Sequence, residues 1–182
     1  MRRVLAGLVL ALALAACGSG EESDLPEYTP STGVPTASGW DQTAKPERPE
    51  DVKTDEGLRA YLDYVVLVTP YTLATHDASV LSGLGDPATC RPCARSEQIR
   101  RAYGDEVVLY DERPVVEDVR IAQDPGGDKW SIDAVIALSA SRRVGVEDGE
   151  ERSSTEPERL AIRYDVMWAD GRWELIDYGP QS

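Results

Sequence analysis

Few residues in this chain are equipped for chemistry. Cys90 and Cys93 stand in Cys-Arg-Pro-Cys, a spacing that suits thiol–disulfide exchange, a structural disulfide or half of a metal site. His76, the single histidine, precedes Asp77 and is the one place for imidazole acid–base work. Neighbours on a helix point about 100° apart, so adjacency alone makes no dyad. The pair also reads as a helix end, with His76 on the last carbonyls and Asp77 capping the next helix. Asp177 lies near the end of the last apolar stretch, and its parity puts it on the face of Trp173 and Leu175. Tyr61, Tyr64, Tyr164 and Trp168 are the aromatic residues that could stand with it. Core packing explains Tyr164 and Trp168 equally well. The acids Glu147, Asp148, Glu150, Glu151 and Glu156 match no EF-hand spacing and read as a solvated loop. Three cysteines and one histidine are too few for a zinc ribbon, so no metal or cofactor is expected.

The third cysteine belongs to an address. Arg2 and Arg3 precede an unbroken apolar run, Val4 to Ala16. A bilayer-spanning helix needs about 20 residues, whereas a signal-peptide core needs roughly 7–15. The run closes on Leu14-Ala15-Ala16-Cys17, which resembles the bacterial lipobox. The resemblance implies cleavage before Cys17, a lipid thioether on its sulfur, and export. Buried acyl methylenes contribute about 0.8 kcal/mol each, so two or three chains make a durable anchor. An ordinary secretory signal with a chance cysteine is the competing reading. In an exported protein a Cys-x-x-Cys pair is more simply a structural disulfide than a redox centre. The redox reading also wants a strand ahead of the pair, and Gly83, Gly85, Asp86 and Pro87 read as loop.

Charge narrows the partners. Lys and Arg number 19 against 33 Asp and Glu, a net charge of −14. Nucleic-acid binding and polybasic membrane contact both need clustered cations, and neither is expected. The membrane is expected as a partner through the lipid alone. Hydrophobic residues make up 41% of the chain, enough for a core.

These candidates must be positioned by one domain. Gly18 to Val52 has five prolines and eight acids against two bases, and its apolar residues have no period. It reads as a flexible acidic Pro/Ser/Thr linker, with Trp40 as the residue most able to dock. The expected organisation is a signal peptide over 1–16, the lipidated Cys17 and linker to 52, and a globular domain over 53–182. Thr54 caps a helix with Asp55 and Glu56 in its first turn, and Leu58, Tyr61, Leu62, Val65 and Val68 form its apolar stripe. Pro70 is expected to kink or break it. A short helix is expected over Ala78–Ser82 and another over Arg95–Tyr103. Strands follow: Pro114–Ile121; Trp130–Ala140, with Trp130, Ile132, Ala134, Ile136, Leu138 and Ala140 on the buried face; Leu160–Trp168, with Leu160, Ile162, Tyr164, Val166 and Trp168 inward; and Arg172–Tyr178. The loop Val146–Pro157 and the turn Ala169-Asp170-Gly171 join the last three. Helices first and hairpins after mean α+β.

Helices followed by a curved antiparallel meander, closing on Asp170-Gly171 and Arg172-Trp173-Glu174-Leu175-Ile176-Asp177, resemble the cone-shaped fold of nuclear transport factor 2 and its relatives. More specifically, Thr54-Asp55-Glu56-Gly57-Leu58, Tyr71-Thr72-Leu73-Ala74-Thr75-His76-Asp77, Leu81-Ser82 and Cys90-Arg91-Pro92-Cys93 resemble a family of actinobacterial lipoproteins of unknown function. His76 departs from that pattern, which favours a small residue there, usually glycine. The resemblance implies a lipoprotein address, a fold of N-terminal helices on a curved antiparallel sheet, and no activity.

Function then divides into three readings. A tethered module would bind an envelope protein or small apolar ligand. An accessory lipoprotein would present its outer sheet face to a partner. An isomerase- or dehydratase-like enzyme would use Asp177 and a tyrosine in the concave pocket that ketosteroid isomerase and similar relatives use. Non-catalytic presentation is the preferred reading.

Overall fold

A computed structural model describes residues 39–94, 98 and 102–181. The leader, Cys17 and most of the linker lie outside these residues. Helix α1 spans Asp55–Thr75. Thr54 opens it in extended geometry, its side chain accepting from the Gly57 amide at 3.1 Å, and Asp55 and Glu56 occupy the dipole's positive end. The helix runs on through Pro70, where a kink or a break was expected, and Tyr71–Thr75 form its last part. The Thr72 and Thr75 hydroxyls donate to the carbonyls of Val68 and Tyr71, each at 2.8 Å. His76 ends the helix in the left-handed conformation, φ 59°. A 3-10 helix (Ala78–Gly83) follows, capped by Asp77. The four-residue α2 (Arg91–Ala94) starts at the cysteines. Most of the helix expected over Arg95–Tyr103 lies outside the described residues.

Among the described residues, seven strands form two antiparallel sheets. They are β1 (Glu106–Tyr110), β2 (Val115–Gln123), β3 (Lys129–Leu138), β4 (Ser141–Gly145), β5 (Glu151–Thr155), β6 (Glu158–Ala169) and β7 (Arg172–Pro180). One sheet has the order β1-β4-β5 and the other β2-β3-β6-β7. A single ribbon runs through both. Leu138 pairs with Glu158 and Ser141 with Thr155, three residues further on each strand, so the register crosses the break without a slip. The stretch expected as an acidic loop, Val146–Pro157, therefore contains a strand, and only residues 146–150 and 156–157 of it lie outside one. Asp170 (φ 50°) and Gly171 (φ 81°) close the β6–β7 hairpin with two consecutive positive φ values, as a two-residue primed turn requires.

The core lies between α1 and the four-stranded sheet. Leu58, Tyr61, Leu62, Val65 and Val68 pack toward Trp130, Ile132, Ala134 and Ile136 of β3, Tyr164 and Val166 of β6, and Trp173 and Leu175 of β7. The period-2 faces expected for β3 and β6 are buried at Trp130, Ile132, Ala134, Ile136, Tyr164 and Val166 and only partly buried at Leu138, Leu160, Ile162 and Trp168, while Ala140 lies beyond the end of β3. A smaller cluster joins Ala74 to Val107 and Leu109 of β1.

The segment 39–52, expected as the end of a flexible linker, is laid across this unit as an arm. Gln42 is buried, and Arg48 and Asp51 are largely covered. Gly57 permits the close approach at the arm's end, since a Cβ there would meet the Val52 carbonyl oxygen at 2.2 Å.

Candidate functional site

Two regions gather the functional candidates: the inner face of the four-stranded sheet and the seat of the arm. Three tryptophans meet on the inner face. Trp173 is edge-on to both Trp130 and Trp168, with ring centroids 4.8 and 5.0 Å away. Tyr164 and Tyr178 lie side by side at 5.8 Å. Burial raises the Tyr164 phenol, with Tyr178 adding to the shift. The cavity lined by Val65, Thr72, Leu84, Pro92 and Tyr178 measures about 20 Å³, room for one water and no substrate.

Asp177 does not join this face. A β-bulge adds Ile176 to β7, so Val166 pairs with Leu175 while Asp165 pairs with Asp177. Beyond the bulge the alternation is reversed. Asp177 shares the outer face with Asp165, and Tyr178, paired with Tyr164, takes the inner one. The carboxylate of Asp177 accepts from the Arg91 guanidinium at 2.8 Å. Strand parity, which counts residues and ignores bulges, put it on the wrong side.

His76 and Asp77 have separate structural tasks. The His76 ring Nε2 lies 2.8 Å from the Glu106 carbonyl oxygen on the edge of β1, rather than on the helix's own last carbonyls. Asp77 caps the 3-10 helix through the Ser79 amide at 2.9 Å and accepts from the Tyr71 hydroxyl at 2.8 Å. Burial pushes its carboxyl up, but the Ser79 and Tyr71 hydrogen bonds and the charge of Lys45 outweigh that and hold it below its ordinary value. Cys90 and Cys93 form a disulfide whose Cα atoms are 5.2 Å apart, and both residues are buried. A buried disulfide is poorly placed for exchange. Arg91, between them, carries the ion pair to Asp177 and so ties this turn to β7. Among the described residues, no three of His, Cys, Asp and Glu gather to hold a metal ion.

Sequence reasoning missed the arm. Its first anchor is Gln42. The side-chain amide donates to the carbonyls of Pro70 (2.8 Å) and Val108 (2.9 Å) and accepts from the Tyr110 amide (2.8 Å). It thus occupies the free edge of β1 as a neighbouring strand would. Its second anchor is Arg48, whose guanidinium donates to the carbonyls of Gly83 and Trp173 and to both oxygens of Asp51. The same guanidinium lies 4.9 Å from the centre of the Tyr61 ring. Tyr61 donates to the Leu84 carbonyl at 2.6 Å, and burial raises its phenol. Asp51 accepts the Trp173 amide at 2.9 Å, and the Val52 carbonyl accepts the Trp173 indole N–H at 2.9 Å. Burial pushes the Asp51 carboxyl up, but the Arg48 and Trp173 hydrogen bonds and the charges of Arg48 and Arg172 hold it below its ordinary value. An open groove of about 450 Å³ separates the first part of the arm from α1 and is lined by Trp40, Lys45, Leu67, Tyr71 and Arg113 among others.

An α+β domain with helices ahead of two antiparallel sheets is the class these elements define. The chain belongs to a family of unknown function, DUF6318, which matches residues 26–178. Its match covers the arm as well as the domain. No curated protein matches the chain. Among solved structures it is similar to the crystal structure of the intermembrane space region of the chloroplast protein ARC6, at 11% identity and a TM-score of 0.53. That similarity covers 72% of this chain and 99% of the other, and at this identity it speaks for the fold alone.

Proposed function

We propose that the chain is a lipid-anchored envelope protein of the actinobacterial type, whose domain is a non-catalytic binding or accessory module with a nuclear transport factor 2-like cone. The anchor reading rests on Arg2, Arg3, the apolar run Val4–Ala16 and Cys17. No described helix is long and apolar enough to cross a membrane, so a lipid on Cys17 is the attachment this reading requires. Support for the cone comes from the ribbon of β3–β4 and β5–β6, which continues in register from one sheet into the other, and from α1, whose residues pack in the clusters of both sheets.

One observation carries the accessory reading. The inner sheet face, where an enzyme of this shape would place substrate, is packed by Trp130, Trp168 and Trp173. Asp177 stands on the opposite face and is engaged by Arg91.

The test is metabolic labelling with a fatty-acid probe and membrane fractionation of the full chain and of Cys17→Ser. The expected result is a labelled, membrane-bound wild type and an unlabelled variant that is released or left uncleaved. A Cys17→Ser protein that is correctly cleaved and still membrane-bound would defeat the anchor. For the domain, a panel of small apolar molecules should leave the melting temperature unchanged. A stabilising molecule whose effect needs Tyr164 would restore the enzyme or small-ligand reading.

A further inference from the structure

The arm covers the most deeply buried aromatics of the domain, and its one large aliphatic side chain at this end, Val52, stands out toward solvent. Tyr61 and Trp173 are 0% and 1% exposed beneath it, while Val52, above them, is 44% exposed. What holds this part of the arm down is polar: the Arg48 guanidinium on two carbonyls, Asp51 on one amide, and the Val52 carbonyl on the indole. Apolar packing is what makes an element open only with the whole fold, and a cover fastened by hydrogen bonds separates at lower free energy.

We propose that residues 47–52 are a strap that lifts from the folded domain as a local unit, uncovering Tyr61, Trp173 and the acceptor seat of Arg48 while both sheets stay intact. Two strand amides give the means to see it. Those of Trp173 and Tyr110 are bonded to arm side chains, Asp51 and Gln42, whereas the amides inside β3 and β6 are bonded to neighbouring strands. Lifting frees the Trp173 amide directly. In the lipid-anchored reading it also lengthens the tether: arm residues 39–52, at about 3.3 Å each, add roughly 45 Å if the Gln42 anchor follows. That consequence alone rests on the anchor, and exchange measured on unanchored chain separates the two.

The experiment is amide exchange at residue resolution on the full chain carrying Cys17→Ser, with and without Arg48→Ala. The Trp173 amide is expected to exchange faster than the β3 amides in wild type. In the variant it should exchange about ten- to a hundredfold faster again, the effect of losing hydrogen bonds to a charged group. The β3 amides should remain the slower set in both proteins, so that Trp173 always exchanges ahead of global unfolding. If Tyr110 accelerates with Trp173, the whole arm lifts together; if it does not, the strap ends short of Gln42. Asp51→Asn, which keeps the side chain's shape and weakens its hold on Arg48, is the second variant should Arg48→Ala fail to fold. A Trp173 amide that exchanges only at the global unfolding rate, in wild type and in whichever variant folds, overturns the proposal.

Discussion

Asp51 accepts the backbone amide of Trp173 at 2.9 Å, joining residues 122 positions apart. The carboxylate also receives the bidentate Arg48 guanidinium, which in turn donates to the Trp173 carbonyl. Both polar groups of the Trp173 backbone are therefore satisfied by the arm, on a residue whose ring is the centre of the tryptophan cluster. This edge of β7 is closed by a segment with no strand character of its own.

Asp51→Ala should cost about 2–3 kcal/mol, since it leaves the covered Arg48 charge and the Trp173 amide without their partner. Asp133→Ala breaks the bidentate but exposed pair with Arg163 and should move the urea midpoint far less. Urea denaturation of both variants checks the contrast. Equal losses would mean that the arm carries no special share of stability.

The same carboxylates set the acid limb. Asp51 and Asp77 both have folded values held below their ordinary ones. A depressed folded pKa adds stability that is complete above the unfolded value, about 3.9, and is lost as pH falls through the folded value. The urea midpoint should therefore be flat from pH 7 to 5 and fall below about pH 4. Asp51→Asn should start lower at pH 7 and show a shallower acid limb. An acid limb as steep as that of wild type would remove Asp51 from the account.

Gln42 gives the clearest test of where the domain begins. Gln42→Ala orphans two carbonyls and one amide and should lower stability by about 2–3 kcal/mol, or roughly 5–10 °C in melting temperature. Gln42→Glu should be at least as damaging, because a carboxylate has nothing to donate to the Pro70 and Val108 carbonyls. A fragment starting at Gly39 should melt cooperatively and well above one starting at Lys53. Equal melting of the two fragments would return residues 39–52 to the linker.

At His76 two effects oppose each other. Its φ of 59° costs a non-glycine residue about 1 kcal/mol, and its ring recovers a comparable amount on the Glu106 carbonyl. His76→Gly should thus fall within about 0.5 kcal/mol of wild type, whereas His76→Val, with the strain and without the bond, should lose about 2 kcal/mol. Thermal melts of the two variants decide it, and a harmless valine would show that the helix end carries no strain.

Joining Cys90 to Cys93 closes a very short loop, and the chain-entropy relation gives about 2 kcal/mol for it. Cys90→Ala with Cys93→Ala should cost at least that amount. It should leave the Arg91–Asp177 contact free to break, which the backbone shift of Asp177 by NMR would report.

The sequence by itself determined the parts whose information is local. Thr54, the two acids after it and the Leu58–Val68 stripe define α1, because a cap and a 3.6-residue period are written within one stretch of chain. Alternation from Trp130 to Ile136 and around Tyr164 and Val166 defines the inward faces of β3 and β6, because there one side of the strand is buried and the other is not. Asp170-Gly171 announces its turn through the positive φ values it must supply. Tertiary structure decided the rest. The β4–β5 hairpin, Ser-Arg-Arg against Glu-Arg-Ser-Ser-Thr, has no apolar alternation to read, because β5 is exposed along its whole length and is specified by pairing to the ribbon's register. Side-chain direction at Asp177 was set by the bulge at Ile176, which reverses parity by one added residue and is fixed by the pairing with β6. The arm looks like linker because its composition is linker-like. It is held by hydrogen bonds from Gln42, Arg48 and Asp51 to partners 28 to 125 residues away, and a polar contact across that distance leaves no period in the chain.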